Sequence, residues 1–167
     1  AAIPGVAAVD EFRAVELHYR GQRATLGAGN LEVRRRYGPL HFASGGMPGP
    51  DEAIVSEPFS IRNGTRVGDR LSLSIGKSVA EWRVAGIYYD YSSSQGYVMV
   101  DRSTMLRYLP GQPPTNAAIY VTPGVDAAGV QHEIQLRAAG RAIVVAPNSE
   151  LRRNAIAIFD RTFAITW

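Results

Sequence analysis

The chain has 167 residues, 46% of them hydrophobic and 20% charged, which fits one domain or two small subdomains and excludes wholesale disorder. Eighteen Lys and Arg against 15 Asp and Glu leave a net charge of +3, and the one dense basic run, residues 34–36, predicts a solvated helix face, so we expect no nucleic-acid partner. The absence of cysteine excludes disulfides, cysteine metal sites and thiol catalysis.

The first fifty residues are predicted to form a hairpin, a short helix and a link. Apolar and polar side chains alternate over residues 15–19 and again over 24–28, on either side of a glycine turn, which predicts two antiparallel strands. Asn30 is placed to cap a helix that ends near Tyr37. The glycine- and proline-rich residues 44–50 are predicted to form a flexible link and a subdomain boundary.

The middle third is predicted to be rich in β-structure. Ser56 starts a short helix with proline in its first turn, and Gly64 ends it. A polar loop follows at residues 92–96. The strands are predicted at residues 53–55, 71–75, 82–89 and 97–100.

Helices and strands alternate in the last third. Asp101 and Asp126 are each placed to cap a helix. Strands are predicted at residues 117–121 and 142–145, which would make residues 116–145 a β-α-β unit. Residues 151–167 have helical spacing and lose their polar face toward the end, which is typical both of a stalk entering a membrane and of a terminal helix docked on the core. Because the chain begins without Met and ends in this apolar pattern, we expect both ends to continue into a longer protein.

Two short matches to known motifs fail at a required position. Residues 76–78, Gly-Lys-Ser, match the end of a phosphate-binding loop, but the glycine required five residues earlier is replaced by Leu71. His132 and Glu133 match the start of a zinc-protease helix, but the second histidine is replaced by Leu136. The three histidines lie far apart in sequence, so we expect no metal site.

An enzymatic function would need an acid and a base that the sequence does not display. Asp90 and Asp101 flank the polar loop and are the pair that could act in this way, with His132 as a third candidate. A turn residue and a helix cap are the simpler interpretations of the two aspartates. We therefore expect no enzyme, no catalytic residue and no cofactor.

Several segments, in this order, resemble the extracytoplasmic domains of the FtsX-like permease family. Residues 54–59 and 67–73 are similar to the "V-S-E" and "V-G-D-x-L-x-L" segments of that family, and residues 82–90 are similar to its "V-x-G-I-y-x-D". Residues 97–105 resemble the usual strand of the family followed by its "D-R-x-T". The two ends, residues 3–6 and 151–163, resemble the chain beside the flanking transmembrane helices.

The resemblance implies an α+β fold of the MacB periplasmic core type. In this fold a porter-like α/β subdomain carries an inserted β-rich subdomain. Transferred to this chain, residues 1–51 and 104–150 would form the porter-like subdomain, which is discontinuous, and residues 52–103 the insert. Residues 151–167 would lead into a transmembrane segment.

The resemblance also implies a function in ABC transport. The domain would lie on the periplasmic face of the bacterial inner membrane, anchored through the full-length permease, and a cytoplasmic ABC ATPase would be its energy-supplying partner. ATP-driven motion would move cargo or a partner by mechanotransmission, without a cofactor. Cargo in the family includes lipoproteins, lipids, peptides and toxins, and a periplasmic partner protein is a further expectation. The alternative is a stand-alone periplasmic ligand-binding or adaptor module.

Contacts with such a partner are expected on exposed loops, since loops carry binding more often than the scaffold does. We single out the polar loop with its two flanking tyrosines, and in addition the link at residues 45–50; the alternative is that both are ordinary connections. The loop residues are Tyr91, Ser92, Ser93, Ser94, Gln95, Gly96 and Tyr97.

Overall fold

The secondary structure is mixed, and the computed structural model describes it for residues 3–148. The predicted α+β class is confirmed. The strands are β1 (Val6–Tyr19), β2 (Gln22–Gly29), β3 (Phe42–Gly45), β4 (Glu52–Ser56), β5 (Arg70–Ile75), β6 (Ser78–Tyr88), β7 (Tyr97–Asp101) and β8 (Asn116–Val121). The helices are α1 (Leu31–Tyr37), α2 (Glu57–Asn63), α3 (Arg102–Tyr108) and α4 (Ala127–Ala138).

All eight strands join one mixed sheet. The order is β3-β6-β4-β7-β2-β1-β8, and β5 pairs with the first half of β6. Neighbours β2 and β7 are parallel, as are β4 and β6, whereas β4 and β7 are antiparallel. The central strands therefore come from distant parts of the chain. The strands within the predicted insert, β4 to β7, belong to the same sheet as β2, and β7 lies directly beside it.

Two hairpins follow from their turn residues. Arg20 and Gly21 connect β1 to β2, and both have positive φ, at 50° and 77°, as a two-residue turn of type I′ requires. Residues 76–77 connect β5 to β6 in the same two-residue manner. The β1–β2 hairpin confirms the sequence prediction. Strand β1 is 14 residues long and begins well before the predicted start at residue 15.

Aspartate and asparagine side chains start three of the helices, as predicted. Asn30 accepts from the N–H of Val33 at 3.0 Å, and Asp101 and Asp126 cap α3 and α4 in the same way. Ser56 stands at the predicted start of α2, but its hydroxyl makes no cap hydrogen bond there. It accepts instead from the N–H of Tyr97, at 2.9 Å, which ties α2 to β7.

The prediction that residues 44–50 form a flexible link is wrong for its first part. Residues 42–45 form β3, which pairs with β6. The N–H of Gly46 continues this pairing by donating to the carbonyl of Ala85 at 3.1 Å. A Cβ on Gly86 would lie 2.5 Å from the carbonyl oxygen of Gly46, so the glycines are needed for the close approach of two backbones. These glycines allow two strands to pack closely and do not indicate a flexible segment.

The predicted strand at residues 142–145 is also wrong. Ile143 donates its N–H to the carbonyl of Arg141 at 2.8 Å, which makes a local turn, and the side chain of Val144 is 92% exposed. An apolar β-branched run forms a strand only where it finds a partner, and within residues 3–148 this run has none. The predicted β-α-β unit is therefore reduced to β8 and α4. The predicted terminal helix, residues 151–167, lies outside the described residues.

Alternating side chains build one hydrophobic cluster on each face of the sheet. The larger cluster contains Trp82 and Val98 with Phe59 of α2 and Met105 of α3, all at most 1% exposed. The smaller cluster, on the opposite face, consists of buried Leu31, Ile54, Tyr88 and Met99, with Phe12, Leu40, Phe42, Met47, Ala85 and Tyr97 packed against it. At Ala85 the pairing of β6 with β4 shifts by one residue. The side chains that follow in β6 then alternate again between the two clusters.

Helix α1 is attached to the sheet by a buried charge. The Asp10 carboxylate is fully buried on β1 and accepts from the N–H of Asn30 at 2.6 Å. Its second oxygen accepts two N–H bonds from the Arg34 guanidinium, at 2.7 and 3.1 Å. Because both carboxylate oxygens accept from N–H donors, the buried charge is compensated, and the ion pair attaches the first turn of α1 to β1.

The internal contacts divide the chain into two units, residues 8–120 and residues 1–7 with 121–167. These boundaries differ from the predicted subdomains, whose assignment stays a prediction. Within the second unit, α4 turns Val130 toward Gly5, and the N–H of Thr122 donates to the Gly5 carbonyl at 2.9 Å. No helix in the described range is both long and apolar enough to cross a membrane.

Candidate functional site

The predicted contact loop connects β6 to β7. Asp90 begins the loop, and its Oδ1 accepts from both the N–H and the hydroxyl of Ser92, at 2.9 and 2.6 Å. Ser93 closes the second turn, with its carbonyl accepting from the N–H of Gly96 at 3.1 Å. Two successive turns held by their own side chains give the loop a defined shape. The Asp90 carboxylate is occupied by this local role.

Backbone contacts tie the far end of the loop to the rest of the sheet. Gly96 has a φ of +78°, and a Cβ there would lie 2.5 Å from the backbone nitrogen of Phe59 in α2. The carbonyl of Gly96 accepts from the N–H of Thr25, at the start of the β2–β7 pairing. Only glycine meets both requirements, so this residue positions the loop and is itself buried.

The outer face of the loop presents two tyrosines. Tyr91 is 67% exposed and Tyr89 is 49% exposed, and their rings stack with centroids 6.5 Å apart. The hydroxyl of Tyr91 donates to Glu57, the first residue of α2. This bond to a carboxylate raises the pKa of the Tyr91 hydroxyl above its usual value. The stacking and the bond to Glu57 therefore hold the two rings as one exposed aromatic surface.

The remaining predicted residues differ in exposure. Ser92 and Ser94 are exposed beside Tyr91, whereas Ser93 and Gln95 are half-buried. Tyr97 is half-buried and packs on the smaller hydrophobic cluster. From the link at residues 45–50, Met47 packs on the same cluster.

Sequence reasoning missed two members of this surface. Glu57 and Tyr89 are not among the predicted contact residues, although both hold Tyr91 in place. Residue 57 did carry a signal, because it belongs to the "V-S-E" segment of the resemblance. No sequence pattern could pair Glu57 with Tyr91, since 34 residues separate them and the contact depends on the β4–β6 pairing.

The two aspartates weighed for catalysis have structural partners. Asp101 accepts from Ser103 at the start of α3 and, with its other oxygen, from the N–H of Leu31 at 3.2 Å. His132 lies on α4, in the other unit. In the described part of the chain, no three His, Asp or Glu side chains come together as a metal site would require.

Two open clefts lie away from the tyrosine pair. The larger, of about 390 Å³, is flanked by Val9 and Glu11 of β1 and by Arg102 and Leu106 of α3. The smaller, of about 280 Å³, lies beside the β1–β2 turn and is lined by polar residues.

Comparison with solved structures defines the class of domain. The periplasmic region of MacB from Actinobacillus actinomycetemcomitans matches 91% of this chain and 77% of its own with a TM-score of 0.64, at 10% sequence identity. The extracellular domain of the noncanonic ABC-type transporter YknZ from Gram-positive bacteria matches 77% of this chain and 72% of its own, with a TM-score of 0.58 and 14% identity. A domain of a putative permease from Porphyromonas gingivalis matches 81% and 65%, with a TM-score of 0.53 and 18% identity.

The fold is thus that of the extracytoplasmic domains of MacB-like ABC transporters. A sequence relative points the same way: an uncharacterized ABC transporter permease of Mycobacterium tuberculosis (strain H37Rv) is 26% identical over 115 residues, which is 68% of this chain. The chain spans 14% of the length of that permease. No family model matches the chain. The predicted resemblance to the periplasmic domain of FtsX-like and MacB-like permeases is confirmed.

Proposed function

We propose that this chain is the extracytoplasmic domain of an ABC transporter permease and that it transmits motion, driven by a cytoplasmic ATPase, to cargo or to a partner outside the membrane. The observation that supports this most is the structural similarity to the periplasmic region of MacB over 91% of the chain. Lipoproteins, lipids, peptides and toxins are the cargo classes that this proposal includes. The domain acts by mechanical coupling and carries out no chemistry of its own.

The sheet has the construction that such coupling needs. Strand β7 lies between β2 and β4, so three segments distant in sequence are joined by backbone hydrogen bonds in its centre. Both faces of these strands are packed with buried side chains. Close-packed elements of this kind move as one body rather than deforming continuously. A displacement applied to one strand would therefore reach the tyrosine pair.

The coupling proposal is tested in the full-length permease with its ATPase. The chain contains no cysteine, so single spin labels can be introduced cleanly. One label replaces the exposed Ser94, and the other is placed at the outer end of the adjoining transmembrane helix. We expect their distance distribution to differ between the nucleotide-free state and a trapped ATP-bound state.

A second label pair, at Ser94 and Ser72, is the control. Both sites lie within residues 8–120, so their separation is expected to stay constant while the first distance changes. Equal distances in both nucleotide states for the first pair would contradict mechanical coupling. A parent gene without transmembrane helices would instead favour the stand-alone binding or adaptor module.

The tyrosine pair is the contact surface in this proposal, since large rigid aromatic side chains supply much of the energy at interfaces. A photo-crosslinking amino acid at position 91 of the full-length permease is expected to give a covalent adduct in cells. The matched control position is Val79, which is 60% exposed on the β5–β6 hairpin. Adducts of equal yield at both positions, or at neither, would remove the loop as the contact surface.

A further inference from the structure

The smaller cleft is positively charged and lies at the end of the β1–β2 hairpin. Arg20 from the hairpin turn and Arg70 from the start of β5 line it, together with polar groups of Asn63, Thr65 and Asp69. Its volume of about 280 Å³ is at the lower limit for small-molecule sites, so it suits a compact ligand group.

Both arginines of the cleft, Arg20 and Arg70, are exposed. Within residues 3–148, no carboxylate lies within ion-pairing distance of Arg20 or Arg70. The arginines that do form ion pairs in this range are Arg34, Arg35, Arg102, Arg107 and Arg137. The cleft therefore keeps charged donors facing solvent.

Strand pairing places a third cation, Arg83, next to Arg70 at a cost in stability. Arg70 lies directly opposite Arg83 on the antiparallel strand β6, and both are exposed. The next pair, Leu71 with Trp82, points into the core, so the two arginines share the outer face. Like charges in this position destabilise a sheet, and an anion bound between them would remove the repulsion.

Arg20 has a backbone conformation that is unfavourable for arginine. Its φ of 50° belongs to the left-handed region, where asparagine or glycine is usual in this type of turn. The guanidinium lies over the ring of Tyr19, 5.1 Å from its centroid, and donates to the carbonyl of Asn63 at 3.3 Å. These contacts orient the group and leave most of its five N–H donors available.

One acidic side chain also lines the cleft. Asp69 accepts through Oδ2 from the N–H of Arg66 at 2.8 Å, which closes a local turn. The guanidinium groups of Arg20 and Arg70 line the same cleft. The positive groups outnumber this carboxylate.

We propose that the cleft binds a phosphate-bearing anion through Arg20 and Arg70. The planar, bidentate donor geometry of arginine complements phosphate oxygens, and the guanidinium remains charged at every relevant pH. A lipid headgroup and a soluble phosphate compound offer the same chemistry. This site is separate from the tyrosine pair and does not depend on the coupling proposal.

The test is a titration of the isotopically labelled 167-residue chain with inorganic phosphate at constant ionic strength, followed by the amide resonances of residues 19–20 and 63–70. We expect saturable shifts confined to these residues. The double variant Arg20→Asn with Arg70→Gln should weaken binding about tenfold or more, because each lost hydrogen bond to a charged group is a strong one. Asparagine suits the positive φ, so the variant is expected to keep its fold.

Arg36→Gln is the matched control, since it removes one charge on α1, at the other end of β2, and should leave phosphate binding unchanged. An equal loss in this control would overturn the proposal, as would wild-type affinity in the double variant or the absence of phosphate binding. Flotation with phosphatidylcholine vesicles, with and without phosphatidylglycerol, separates the two sources. Binding that needs phosphatidylglycerol and the two arginines supports a lipid headgroup, and phosphate binding without flotation supports a soluble ligand.

Discussion

Two buried polar side chains on the same face of the sheet have opposite environments. Asp10 receives three N–H donors from Asn30 and Arg34, so its burial is compensated. The hydroxyl of Tyr88 is buried in the smaller cluster, and among residues 3–148 no group is hydrogen-bonded to it. Burial is also the main reason that the pKa of Tyr88 is raised far above its usual value.

Replacing Tyr88 by Phe is therefore expected to raise the free energy of unfolding at neutral pH by about 1 kcal/mol, since an unpaired buried hydroxyl is removed. The same variant should change the pH dependence. Because the folded-state pKa of Tyr88 is raised, its ionisation does not affect the stability of the wild type below about pH 10. Above that pH it lowers the free energy of unfolding by up to about 1.4 kcal/mol per pH unit, and the variant should lack this decrease. Urea unfolding at several pH values measures both effects. A clear loss of stability in the variant at neutral pH would show that the hydroxyl has a partner.

At the scale of single elements, local signals were sufficient and long-range ones were not. The caps Asn30, Asp101 and Asp126 were predicted correctly because a cap depends on residues within one turn of the helix. Strand β3 was missed because its glycines are typical of a loop, whereas their actual role is to let two backbones approach. Residues 142–145 have strand composition without a strand partner. Pairing, which sequence alone does not reveal, decided both cases.

The candidate site likewise combines local features, which the sequence reveals, with long-range contacts, which it does not. Its loop, its exposed tyrosine at position 91 and its turn residue Asp90 could be found from the sequence, since each is a local feature. The contact between Tyr91 and Glu57 could not, because it is created by the strand order that brings α2 beside the loop. The packing of Gly96 against Phe59 is equally non-local.

Gly96→Ala is expected to lower the free energy of unfolding by about 3 kcal/mol. The added Cβ would meet the backbone of Phe59 at 2.5 Å, and the φ of +78° is strained for any other residue. Gly111→Ala is the matched control, because Gly111 has a similar φ of +74° but open space around it, so its loss should stay near 1 kcal/mol. Urea denaturation of both variants measures the difference. Equal losses would show that backbone conformation alone, and not packing against α2, requires glycine at position 96.

On the scale of the whole molecule, the sheet is assembled from distant segments. The parallel pairing of β2 with β7 brings Thr25 next to Tyr97. The chain between these two strands includes β4 and β6, which pair with each other. Such non-local pairings have to form before their contacts stabilise the fold, so folding of this chain in milliseconds to seconds is expected from topology. Among residues 3–148, the members of the two hydrophobic clusters all lie between positions 12 and 109.

Because both clusters lie inside the unit of residues 8–120, a fragment comprising residues 6–121 is expected to fold alone. These limits keep β1 and β8 complete. We expect cooperative urea unfolding, with a free energy of unfolding within about 2 kcal/mol of that of the full chain, since most apolar burial is retained.

A shorter fragment, residues 16–121, is the control: it lacks Asp10 and Phe12 and should not unfold cooperatively. If the longer fragment also lacked a cooperative transition, the sheet would depend on residues beyond its two clusters, and the unit could not act as the rigid body that mechanical coupling requires.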